Sequence, residues 1–153
     1  MTTKAAPMTD GSFLGGTPKS LGERKKTIST TENKQVVHAF LDLAFNAKKP
    51  EEAFDRYVGP GYVQHNPHAP DTAAESARFL AGFVGAYPGM TLEIKRTVAE
   101  DDLVVTHSLL KTTPDERGTA IADLMRVRDG RIVEHWDVAQ PVPEAPANDN
   151  TMF

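Results

Sequence analysis

The apolar pattern changes period once, at Pro88-Gly89, and that change restricts the chain to few folds. Before it, Val36, Val37, Phe40, Leu41, Ala44 and Phe45 recur at three- and four-residue steps, the stripe of an amphipathic helix whose first turn Thr30 or Thr31 can cap. Pro50 suits the first position of a second, short helix over Glu51 to Tyr57, which Gly59-Pro60-Gly61 stops. Tyr62 to Asn66 follows as a short extended segment ended by Pro67 and Pro70, and Asp71 stands where an N-cap belongs. A third helix begins near Thr72, with Phe79, Leu80, Phe83, Val84 and Tyr87 as its buried stripe. Beyond Pro88-Gly89 alternation takes over. Thr91 to Val98, Leu103 to Thr112, Thr119 to Val127 and Arg131 to Ala139 read as four strands of a meander, the last two joined by the hairpin signal Arg128-Asp129-Gly130. Helices followed by consecutive antiparallel strands predict an α+β domain with its helices on one face of the sheet.

Length allows one core and no second domain: 153 residues, 39% of them hydrophobic. Residues 1–29 lack an apolar period and are expected to be a flexible arm, 30–139 the domain, and 140–153 an extended tail. The tail ends in Met152-Phe153, so it should lie across the domain or a partner subunit. Cysteine is absent, which excludes disulfides, thiolate metal sites and a cysteine nucleophile, and leaves the cytoplasm as the default compartment. No stretch approaches a secretory signal or a membrane span. Lys4, Lys19, Arg24, Lys25 and Lys26 concentrate basic charge in the arm, so the domain is more acidic than the formal charge of -4 suggests. Nucleic acid is therefore an unsuitable partner.

Three segments together resemble a known family: Tyr62-Val63-Gln64-His65-Asn66-Pro67, the stretch from Ala122 to Asp137 with its D-x-x-R and DG-x-I-x-E-x-W-D pattern, and the ending Gln140-Pro141-Val142-Pro143 with Asn150 to Phe153. They are similar to the SnoaL-like branch of the nuclear transport factor 2-like superfamily, in particular its aldol-condensation enzymes. The resemblance spans roughly residues 33 to 153. It implies a cone-shaped, curved antiparallel sheet, a pocket between its concave face and the helices, and a homodimer formed through the convex face. The superfamily hosts cyclases, isomerases, hydrolases and binding modules, so fold alone does not decide function.

Asp123 is the sharpest candidate for chemistry, since it interrupts an apolar strand on the side of Ile121, Met125 and Val127. A buried carboxyl without a partner keeps its proton and can donate it to a developing oxyanion. The resemblance places a catalytic acid there; Arg126, Arg128 or a backbone group are the alternative, purely structural partners. His107 on the preceding strand, unless it is only a partly exposed strand histidine, and His65 before Asn66-Pro67 are the candidate bases. Alternation leaves open whether His65 or Asn66 points inward, His65 being the expectation, with Gln64 and Tyr62 then on the opposite parity. In the last strand Val133, His135 and Asp137 share one face and Ile132, Glu134 and Trp136 the other. Comparison with ketosteroid isomerases favours His135 and Asp137 inward and Trp136 at the dimer interface, the reverse being open. Asn66, Met125, Phe83 and Tyr87 complete the expected ligand contacts.

These residues suggest a cofactor-free lyase or isomerase that moves a proton beside a carbonyl of a small hydrophobic substrate, as in aldol cyclisation. A non-catalytic small-molecule-binding protein is the alternative. Convergence of His65, His68, His107 and His135 with two aspartates would suit a metal, but no compact ligand motif is present, and none is expected.

Overall fold

The computed structural model describes residues 29–153, and the reading of residues 1–28 as part of an arm lies outside them. Three helices, α1 (Thr30–Leu41), α2 (Pro50–Tyr57) and α3 (Ala73–Ala86), cover one face of a five-stranded curved sheet. Its strands are β1 (Val58–Gln64), β2 (Thr91–Glu100), β3 (Leu103–Lys111), β4 (Thr119–Arg128) and β5 (Arg131–Pro141), in the spatial order β1-β5-β4-β3-β2. β2 to β5 form the expected meander. The sheet is mixed rather than wholly antiparallel, because the segment around Tyr62 joins the edge as β1, parallel to β5. Parallel neighbours need a long crossover, and α3 with the first three meander strands supplies it.

Ser29 caps α1: its hydroxyl accepts from the backbone of Glu32, whose carboxylate returns the contact to the Ser29 amide at 2.8 Å. The cap thus falls one residue before Thr30. α1 passes into one π-helical turn, Asp42–Asn46, that the sequence pattern did not show. Asn46 at its end donates to the Leu92 carbonyl at 3.0 Å and accepts its amide at 2.9 Å, so a side chain takes the place of a neighbouring strand on edge strand β2. Pro50 begins α2 as expected. Thr72, not Asp71, caps α3; the Asp71 carboxylate instead accepts the Gln64 amide at 3.2 Å.

The core lies between helices and sheet, with Val37, Leu41, Ala44, Val104, Met125 and Ile132 almost wholly removed from water. The α3 stripe differs from expectation. Ser76, Ala77 and Val84 are its buried residues, whereas Phe79 remains 46% exposed. Small residues let α3 approach α2, and its larger side chains lean over an internal cavity instead.

Asp129 and Gly130 both adopt positive φ in the β4–β5 hairpin, the geometry that its sequence signal requires. β5 runs two residues beyond Ala139, to Pro141. The Arg117 guanidinium then holds the tail through the carbonyls of Pro143 and Glu144, at 3.0 and 2.7 Å. The tail returns across the sheet's outer face, where the Phe153 ring lies 5.4 Å from that of His107.

Candidate functional site

A cavity of about 290 Å³ opens between the concave face and the helices, near the small end of the usual range for small-molecule sites. Phe40, Phe45, Phe54, Phe79, Leu80 and Phe83 supply its apolar wall. At one pole stand Tyr62, Gln64 and Asn66 from β1 and the turn after it, Asp123 from β4, and His135 and Asp137 from β5.

Register explains this convergence. Gln64 pairs with His135 across the parallel β1–β5 ladder, and Asp123 with Asp137 across β4–β5, so these side chains share a face. Asp123 is 7% exposed and bridges to His135 Nε2 through Oδ1 at 3.0 Å, while Thr106 Oγ1 lies 3.5 Å from its other oxygen. It is therefore partnered, by an imidazole and not by the arginines considered from sequence. Arg126 binds Asp102 and Glu134, and Arg128 lies beside Asp102.

Hydrogen-bonding capacity determines where protons sit. Gln64 Oε1 accepts the Asn66 backbone amide at 3.0 Å, which only an oxygen can do. His135 Nδ1, 2.9 Å from the same oxygen, must then carry a proton and donate. The contact between His135 Nε2 and Asp123 therefore holds one shared proton, on the ring or on the carboxyl. On its other side Gln64 donates from Nε2 to the Tyr62 hydroxyl at 2.9 Å, leaving the phenolic hydrogen free to point elsewhere. Burial first, then the negative charges of Asp137, Asp123 and Asp71, push the Tyr62 pKa far above its ordinary value, so this phenol is a donor at any physiological pH. Asn66 Nδ2 donates to Asp137 Oδ2 at 2.8 Å.

Asn66, Met125, Phe83, His135 and Asp137 lie on the cavity, as does Asp123. His65, His107 and Tyr87 do not. Because Gln64 lies beside His135, His65 falls on the outer face, where its ring stacks on Trp136 at 4.6 Å and its Nε2 meets Glu134 at 3.0 Å. His107 pairs with Ala122, while Thr106 pairs with Asp123; strict alternation sends the imidazole outward, 3.2 Å from Arg96. Tyr87 follows the last turn of α3 and packs edge-on against Phe83, outside the lining. Tyr62 and Gln64 were not among the expected site residues. Their signal was parity: with Asn66 inward, positions 64 and 62 follow.

Of the histidines, only His135 meets the two aspartates. One ligand atom each from Asp123, His135 and Asp137 lies within 4.8 Å of the others, a set that could hold a divalent cation if His135 exchanged its Asp123 contact for the ion.

The curved sheet and its helices thus enclose a largely apolar cavity with an acid–imidazole pair at one pole. The chain belongs to the SnoaL-like domain family, whose model matches residues 37–135. No curated protein sequence matches it significantly. Among solved structures, TsrD from Streptomyces laurentii is 18% identical over 73% of this chain and 90% of its own, with a TM-score of 0.61. A candidate polyketide cyclase from Bacillus cereus is 21% identical over 71% of this chain and 74% of its own, with a TM-score of 0.61. IdmH from Streptomyces antibioticus, also a candidate polyketide cyclase, is 22% identical over 70% and 91%, with a TM-score of 0.55. These likenesses establish the fold. Among the described residues, no helix is long and apolar enough to cross a membrane.

Proposed function

We propose that this chain is a proton-transfer enzyme of the lyase or isomerase type, acting beside a carbonyl of a small hydrophobic compound as in intramolecular aldol ring closure. The observation that carries the reading is the continuous series Tyr62–Gln64–His135–Asp123, with links of 2.9, 2.9 and 3.0 Å, along the pole of an apolar cavity. With the shared proton on His135, Asp123 is a carboxylate beside an imidazolium and can take a proton from carbon. The electron pair of the broken C–H bond moves into the carbonyl, and Tyr62 donates its hydrogen bond to the resulting enolate oxygen. In ring closure the enolate carbon bonds to a second carbonyl carbon, and the new alkoxide takes the proton from Asp123, which restores the starting state. Gln64 holds base and donor in one frame, and Asn66 with Asp137 orients the ligand. His65 and His107 have no part in this mechanism.

Candidate polyketide cyclases among the structural neighbours support the reaction class. The outer face supports self-association: Val98, Val105, Leu124 and Trp136 pair successively across β2 to β5 as one apolar row. The test of function is proton exchange. Aryl methyl ketones and 1,3-diones incubated with the protein in deuterated buffer should lose their α-proton NMR signals faster than in buffer alone. Binding of these compounds without accelerated exchange would leave a ligand-binding protein only.

A further inference from the structure

The cavity carries a charge that the proton-transfer residues do not balance. His135 and Asp123 share one proton and are together neutral in either arrangement. Asp137 adds a carboxylate whose protein donor among the described residues is the uncharged Asn66 amide, on Oδ2. No lysine or arginine among the described residues lines the cavity. Arg126, the guanidinium on the same strand as Asp123, is drawn to the outer face by Asp102 and Glu134 at 2.6 and 2.8 Å. The rest of the same cavity is walled by the rings of Phe40, Phe45, Phe54, Phe79 and Phe83, and Tyr62 stands at the polar pole itself. An unbalanced carboxylate among aromatic faces attracts an ammonium by ion pairing and by the rings' negative quadrupole faces, and it repels anions.

We propose that the cavity selects cations: its ligand bears a protonated amine, held by Asp137 within the aromatic wall, beside the neutral carbonyl presented to Asp123. The carbonyl half rests on the proton-transfer reading; the amine half can be measured without turnover. Three probes of one skeleton decide it, 3-phenylpropylamine, 3-phenylpropan-1-ol and 3-phenylpropanoate, titrated calorimetrically at about pH 8, where an alkylamine is protonated and a simple carboxylic acid ionised. The amine should bind about 10- to 100-fold more tightly than the alcohol, as expected for one charge-assisted hydrogen bond, and the carboxylate should bind weakest. In a folded Asp137→Asn protein the amine's advantage over the alcohol should shrink to under about threefold, within the scatter of such comparisons. Equal binding of amine and alcohol by the natural protein, tighter binding of the carboxylate, or an unchanged advantage in Asp137→Asn would overturn the proposal. The two readings fail separately. Exchange of neutral ketones without amine preference would remove the cation site and leave the chemistry, whereas amine preference without exchange would do the reverse.

Discussion

Asp123→Asn separates chemistry from folding, because the groups around Asp123 determine what an amide would do there. Gln64 Oε1 accepts from Asn66 and so requires the proton on His135 Nδ1. The Nε2 of a neutral ring is then an acceptor, and the introduced amide can donate to it across the present 3.0 Å. No buried polar atom loses its partner, so stability should change by less than about 1 kcal/mol, or a few degrees in melting temperature. Proton transfer loses its base. The exchange rate should fall by about 10²–10⁴-fold, equivalent to about 3–5 kcal/mol of barrier. Asp123→Leu is the contrasting case, since it leaves Nε2 buried without a partner and should cost about 1–3 kcal/mol of stability as well. Deuterium exchange by NMR reads the first effect, thermal melting the second, and long-range ¹⁵N–¹H correlation reads the His135 tautomer directly. An Asp123→Asn protein that exchanges at the natural rate would refute the assignment. A ring in that variant protonated on Nε2 rather than Nδ1 would refute the hydrogen-bond argument beneath it.

Gly118 has φ of +87°, and a Cβ there would stand 2.6 Å from both the Leu110 carbonyl oxygen and Leu109 Cδ1; Gly118→Ala should cost about 2–4 kcal/mol in urea unfolding, and an unchanged midpoint would contradict the local geometry. The Glu134 pKa is lowered by hydrogen bonds from Arg126 and then His65, so this stabilisation is fully present above the ordinary glutamate range and is lost as pH falls through the lowered value. With both side chains about a quarter exposed, Arg126→Met should cost no more than about 1 kcal/mol at neutral pH, fading in strong acid; a penalty that grew on acidification would be the wrong sign. The outer-face row predicts a dimer by sedimentation velocity, converted to monomer by Val98→Glu, a residue 66% exposed in the isolated chain; a monomeric natural protein would end that reading.

The period change at Pro88 was legible because it depends only on neighbouring residues, and the helices and meander followed from it. Asp123 was legible as a carboxylate among apolar alternates, although its partner was not, since His135 reaches it through strand pairing. The two misplaced histidines show where local pattern stops. Alternation in Tyr62 to Asn66 divides the segment into two sets without saying which faces inward. The parallel register that puts Gln64 beside His135 makes that choice, and it involves residues about 70 positions apart. His107 is the same problem in β3, where one residue separates an imidazole on the concave face from one against Phe153. The π turn, tied to β2 through Asn46 and Leu92, has no local signature.

β5 adds a constraint that alternation would forbid. Ile132 is 1% exposed in the core, and His135 lies on the cavity, yet positions three apart on a regular strand face opposite ways. The ladder resolves the conflict at a bulge: Val127 pairs with Ile132 but Arg126 with Glu134, so Val133 is the extra residue and the parity reverses behind it. The expected grouping of Ile132 with Glu134 and Trp136 therefore fails at its first member, while His135 and Asp137 face inward. The same device recurs in β2, where Lys95 is extra between Ile94 and Arg96 and returns Thr97 opposite Thr106. One inserted residue allows β5 to close the hydrophobic core beside the hairpin and still turn an imidazole and a carboxylate into the cavity farther along. The bulge at Val133 is thus the feature that places the acid–imidazole pair, although Val133 makes no contact with Asp123 that the mechanism requires.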